Sequence, residues 1–174
     1  MMKKTETTAK NLAFMIASKL HDDWRKSRLI EEGVYEPRWK TIKDELSISR
    51  LDKENLPENI RLNEDVFEID IANSAFVELT PDWQKENYDA ALVCVDIMFN
   101  SNEYHSKEEI GEKIHQEWLK RNEWGREDEI LSKPFEELPV EEQDKDLNQF
   151  KIAREVYKEV EKELKSKDIE LDLF

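Results

Sequence analysis

Two histidines stand at the same distance from a tryptophan in two similar phrases. "KLHDDWRKSR" (19–28) holds His21 and Trp24, and "KIHQEWLKRN" (113–122) holds His115 and Trp118. On a helix, a spacing of three places both rings on one face, which leaves two uses for each imidazole. It can pack under its Trp and donate an N–H to a backbone carbonyl, or to an acid such as Glu78 or Glu137. Or it can join a ligand or metal site formed where the two phrases meet. A zinc ion takes about four ligands, three of them protein groups in a catalytic site. The chain has three His, and His105 lies outside both phrases, so no metal site is expected.

A second group combines cations with aromatic faces. "YEPRWKTIK" supplies Tyr35, Arg38, Trp39 and Lys40, and Arg25 and Arg28 close the preceding helix. Such a set suits a nucleotide, whose base stacks while its phosphate meets Arg. It also suits a protein hot spot, where Trp, Tyr and Arg are enriched. The plainer reading is that Tyr35 and Trp39 plug a connector onto the core while Arg38 pairs with one of many acids. Arg25, Arg28, Tyr35, Arg38, Trp39 and Lys40 are the candidate ligand-binding residues. Catalysis finds less support. Asp22-Asp23, Glu31-Glu32 and Glu136-Glu137 are paired carboxylates, but nothing makes one an acid and its neighbour a base. The chain has no Gly-rich phosphate loop, no Gly-x-Ser-x-Gly elbow and no local Cys/His signature. No catalytic residue and no cofactor are expected.

The elements that position these residues are read from composition and periodicity. Of 174 residues 38% are apolar and 40% charged, with three Gly, a mix that favours helices over tight turns. No run approaches the roughly 20 apolar residues of a membrane span, and the apolar run Leu12–Ala17 is too short for a secretory signal. Cys94 is the only cysteine and sits in "AALVCVDIMF". It is expected to be a buried hydrophobe in a reducing, cytoplasmic setting. The net charge of −15 argues against binding nucleic-acid backbones or anionic lipid. It is uneven: residues 1–50 carry 11 Lys and Arg against 8 Asp and Glu, and the rest 16 against 34.

Four amphipathic helices are predicted. The first carries Leu12, Ala13, Ile16, Ala17, Leu20 and Trp24. The second starts at Thr80-Pro81, with Thr as N-cap, and carries Tyr88, Ala91, Leu92, Val93, Cys94, Val95, Ile97, Met98 and Phe99. The third opens on the capping box Ser106-Lys-Glu-Glu109 and continues through Ile110, Ile114 and Trp118. The fourth follows Pro139 with Leu147, Phe150, Ala153, Val156, Tyr157, Val160 and Leu164. In the long connector 30–75, "VFEIDIA" alternates like a strand and "GVYEPRWK" supplies its partner or a structured turn. "RLDKENLPEN" reads as exposed turn, and "DIELDLF" as a short strand or a fraying end.

The phrases belong to a longer repeat. Ile16 to Trp24 aligns with Ile110 to Trp118 at an offset of 94, and "SAFVELTPDWQKEN" (74–87) aligns with "KPFEELPVEEQDKD" (133–146) at an offset of 59. Each half then reads helix, connector, Phe-x-x-Leu and helix, with 35 more residues in the first connector.

The second half resembles the RyR domain, the ryanodine-receptor repeat. The matching residues are Ile114, His115 and Trp118, then Pro134, Phe135 and Leu138, then Glu142 and Asp146. The first half looks like a diverged copy that keeps Leu20, His21, Trp24, Phe76 and Leu79 but has Ala75 in place of the Pro. The resemblance implies a mainly α fold of two pseudo-symmetric helix-pair repeats with small β-hairpin or short-strand elements in the connectors. Repeat 1 would span 1–100, with its long connector at 30–75, and repeat 2 would span 101–174, the two packed as one compact unit. His21, Trp24, Phe76, Leu79, His115, Trp118, Phe135 and Leu138 would be the repeat core. The family implies a non-enzymatic binding or regulatory module, here for a small anionic ligand or a protein segment. The alternative is an acidic interaction protein, even a DNA mimic, that shows its negative face to a basic partner.

Overall fold

The computed structural model describes residues 2–166; the tail "DIELDLF" (168–174) lies outside them. The described chain is mainly helical, with two small antiparallel sheets. Ala17–Asn87 form one compact unit, and the residues on either side of it form another.

In the first unit, helix α1 (Met2–Lys26) arrives with Ala17, Leu20 and His21 buried. It ends on Arg25 and Lys26, cations suited to the free carbonyls of a C-terminus. A hairpin follows, strands β1 (Leu29–Glu31) and β2 (Val34–Tyr35), and Gly33 supplies its positive φ of 75°. Strand β3 (Trp39–Thr41) leads to a short helix α2 (Glu45–Ser49), whose N-cap Asp44 accepts the Ser47 N–H. Strands β4 (Ile60–Asn63) and β5 (Val66–Asp70) complete a sheet of order β3-β5-β4, with Lys40 and Ile60 both opposite Ile69. The alternation of "VFEIDIA" thus forms the central strand, with Phe67 and Ile69 buried. "GVYEPRWK" contributes both β2 and the start of β3. The segment 50–59 is turn and mostly exposed.

A 3-10 turn at Phe76–Glu78 then leads to α3 (Pro81–Phe99). Thr80 holds the N-cap position, and its carbonyl accepts the N–H groups of Trp83 and Gln84. Its hydroxyl is not the expected cap: it is buried and without a hydrogen bond among the described residues.

The second unit holds the remainder of α3, with Ala90, Ala91, Cys94, Val95 and Ile97 buried. Burial pushes the Cys94 thiol up to about 12, so it stays protonated and inert. Helix α4 (Lys107–Arg121) is capped by Ser106, which accepts the Glu109 N–H. The return arm of the box goes to the His105 N–H, one residue earlier than expected. After the short helix α5 (Glu123–Glu127) comes a second 3-10 turn, Phe135–Glu137, and then α6 (Val140–Ser166). The buried stripe of α6 is Asp146, Ile152, Ala153 and Val156; Phe150 and Tyr157, read from sequence as core, are half-exposed.

Gly111 marks the tightest packing in this unit. A Cβ there would run into the Phe135 ring, so α4 and the turn approach more closely than any side chain permits. Gly111→Ala is expected to destabilise the protein by about 1–3 kcal/mol, the usual cost of overpacking, despite the gain in helix propensity. Urea denaturation of both proteins measures it.

Candidate ligand site

The six residues chosen from sequence do not share one pocket wall. Arg25 donates Nε–H to the Ala72 carbonyl at 2.8 Å and lies 4.3 Å from the Tyr35 ring centre. Arg28 donates to the carbonyls of Glu36 and Pro37, and lies 5.6 Å from the Trp24 ring centre. Asn73 grips Tyr35 by both backbone groups, and Asp70 accepts the Arg38 N–H at 2.9 Å. These contacts tie the hairpin and connector to the end of α1. Trp39 and Lys40 are neighbours on β3 and so face opposite ways. Arg61 covers Trp39 at 4.2 Å, while Lys40 reaches Trp83 at 5.6 Å. The Arg38 side chain is exposed.

The repeated motif gives the same local geometry in each unit. His21 Nε2 lies 2.9 Å from the Ser74 carbonyl, and His115 Nε2 lies 2.9 Å from the Lys133 carbonyl. Each carbonyl is two residues before a buried Phe, Phe76 or Phe135. Trp24 stacks on His21 with centroids 5.7 Å apart, and Trp118 on His115 at 6.2 Å. Leu79 and Leu138 are buried beside the turns. The acceptor is a carbonyl in both cases, not Glu78 or Glu137. A carbonyl only accepts, so Nε2 carries the proton and, in a neutral imidazole, Nδ1 is a bare acceptor. Burial holds His21 below the ordinary histidine range, against the opposing pull of the Ser74 carbonyl.

At His115 the second nitrogen meets an acid. Asp146 Oδ2 is 3.8 Å from Nδ1, and Asp146 is only 9% exposed. Burial pushes its carboxyl up to about 7, with the Glu142 charge adding to the effect. One turn on, the Gln149 Oε1 is buried without a hydrogen-bond partner among the described residues. Both groups line a cavity of about 300 Å³ with Trp118, Trp124, Leu131 and Leu138, and the Glu142–Lys145 ion pair (2.8 Å) also borders it. Trp124 sets its ring edge-on to Trp118 at 5.3 Å and is 61% exposed. Gly125 allows this approach, since a Cβ there would meet the Trp118 ring.

An acceptor without a partner among the described residues, Gln149 Oε1, and the Asp146 carboxyl border one Trp-lined cavity, which suits a ligand that donates. Asp146 was visible in sequence only through the family resemblance. Trp124 and Gln149 carried no signal of their own, because neither belongs to a repeat position or an apolar stripe. Among the described residues no group of three or more His, Cys, Asp or Glu is arranged to hold a metal ion, and no helix is long and apolar enough to cross a membrane. Compared with known proteins, the chain matches no family model, no curated protein and no solved structure.

His21→Phe keeps the ring and removes the N–H. The Ser74 carbonyl then loses its donor in a buried site, at a cost of about 1–3 kcal/mol, which chemical denaturation would register. Asp146 gives a pH signature. Its folded pKa, about 7, lies above its ordinary value of 3.8. Between those values the unfolded chain loses this proton while the folded one keeps it, so stability falls as pH rises through the window and the loss is complete above about 7. Asp146→Asn is expected to flatten that slope and to be the more stable protein at pH 8, in thermal melts run from pH 5 to 8.

Proposed function

We propose that the chain is a non-enzymatic binding module of the RyR-domain type, built from two copies of one helix-pair unit, and that it binds a small ligand in the cavity beside Trp118. The observation that carries this reading is the buried Gln149 Oε1, without a hydrogen-bond partner among the described residues, beside the Asp146 carboxyl in the Trp-lined cavity. Buried acceptors without donors cost free energy, and a ligand that brings N–H groups recovers it. The aromatic walls and the two carboxylates, Asp146 and Glu142, favour a cationic or amino-bearing planar group over the anion expected from sequence. The first copy has Asn87 at the position aligned with Asp146, and Ala90 at the position aligned with Gln149, so the site belongs to the second copy alone. Arg25, Arg28 and Tyr35 serve in this reading to hold the long connector.

A specific observation also favours the acidic-interaction reading. An open groove along α4 is lined by Glu103, Glu108, Glu109, Glu112, Glu117 and Glu136, with Lys113 and Lys120 both drawn to Glu117. A basic protein segment fits its charge.

Thermal melts at pH 8 with agmatine, spermidine, adenosine and cytidine test the first reading. A ligand present at 100 times its dissociation constant stabilises by about 2.7 kcal/mol, and Asp146→Asn is expected to abolish that shift relative to its own ligand-free melt. If none of the four shifts the melt while an oligo-lysine peptide binds with steep salt dependence, the groove reading replaces it.

A further inference from the structure

A second cavity, of about 410 Å³, lies where the end of α3, the start of α4 and the middle of α6 meet. Its size suits a small molecule. Ile97, Phe99, Ile110 and Phe150 give it an apolar lining, and Tyr104 and Tyr157 add aromatic surface. Phe150 and Tyr157 stay half-exposed on a helix whose periodicity points them inward because they face this space.

The rim is cationic. Arg154 and Lys158, one turn apart on α6, both border the cavity. Neither makes a hydrogen bond or ion pair among the described residues, in a chain with 42 acids to 27 Lys and Arg. Glu161 also borders the space, but it is engaged by Lys165 at 3.0 Å. Burial raises the Tyr104 and Tyr157 hydroxyls above the ordinary tyrosine range, so both remain protonated donors. Such a space accepts a ring system in its interior and an anion at its mouth.

We propose that this cavity is a binding site for a small aromatic anion, an aryl carboxylate or aryl phosphate, with the ring against Phe150, Tyr104 and Tyr157 and the charge on Arg154 and Lys158. The site is separate from the one beside Trp118 and takes the opposite charge, so neither proposal depends on the other. The aromatic lining selects a ring over an alkyl chain, and the guanidinium offers paired donors to a carboxylate or phosphate.

Calorimetric titration with 2-naphthoate and 2-naphthyl phosphate tests it. Both are expected to bind one to one, and the neutral 2-naphthamide about tenfold more weakly, as for the loss of one charge-assisted contact. Arg154→Glu and Lys158→Glu are each expected to weaken 2-naphthoate by about tenfold or more by the same measure. Both side chains are exposed and have no partner among the described residues, so the described fold does not depend on them. Lys151→Glu makes the same charge change at an exposed position that does not line the cavity, and is expected to leave binding unchanged. Absence of binding by both anions, equal binding of the amide, or equal weakening by Lys151→Glu would overturn the proposal. Decanoate binding more tightly than 2-naphthoate would overturn the aromatic assignment.

Discussion

The hydrogen bond from a helical imidazole to a carbonyl two residues ahead of a buried Phe is the constraint on which each half of the structure turns. It joins segments far apart in sequence, 53 residues for His21 and Ser74 and 18 for His115 and Lys133. Because it fixes the backbone just before the 3-10 turn, it sets where the Phe enters the core. The next helix then starts the same way in both halves: the carbonyls of Thr80 and Pro139 each accept two N–H groups, and Gln84 and Gln143 reach back to carbonyls of the turn. The two connectors differ by 35 residues, and the bond closes in both halves.

Much of this was legible in the sequence. The four long helices and the central strand followed from periodicity. The paired phrases located the His–Trp stacks and the buried Phe and Leu residues, although Trp24, read as part of that core, is 37% exposed. Short elements were not legible: α2 and α5 have five residues each, too few to show a period, and β4 carries little alternation. The Thr80 hydroxyl shows a second limit, since residue type at an N-cap does not determine whether the side chain or only the carbonyl is used. The cavity beside Trp118 was hidden for a different reason. It depends on how α5 and the start of α6 approach Trp118, and a sequence pattern encodes faces of elements but not the gaps left between them.

The distribution of charge separates structural from available groups better than residue type does. Arg25 and Arg28 look like an anion site in sequence, yet their guanidinium groups hold main-chain carbonyls of the connector. Other cations are held by a neighbouring carboxylate, as Lys113 and Lys120 are by Glu117. A cluster of cations in the sequence therefore does not by itself mark an anion site. The same contrast separates the two histidines, of which only His115 has an acid at its second nitrogen.

That acid has a consequence for proton exchange. With Nε2 committed to the Lys133 carbonyl, His115 Nδ1 and Asp146 Oδ2 face each other as two acceptors 3.8 Å apart. Burial raises the Asp146 carboxyl to about 7, so near neutrality it still holds a proton in part of the molecules. A cation entering the cavity competes with that proton for the same charge. In the proposed site, a bound cation would couple its binding to release of that proton.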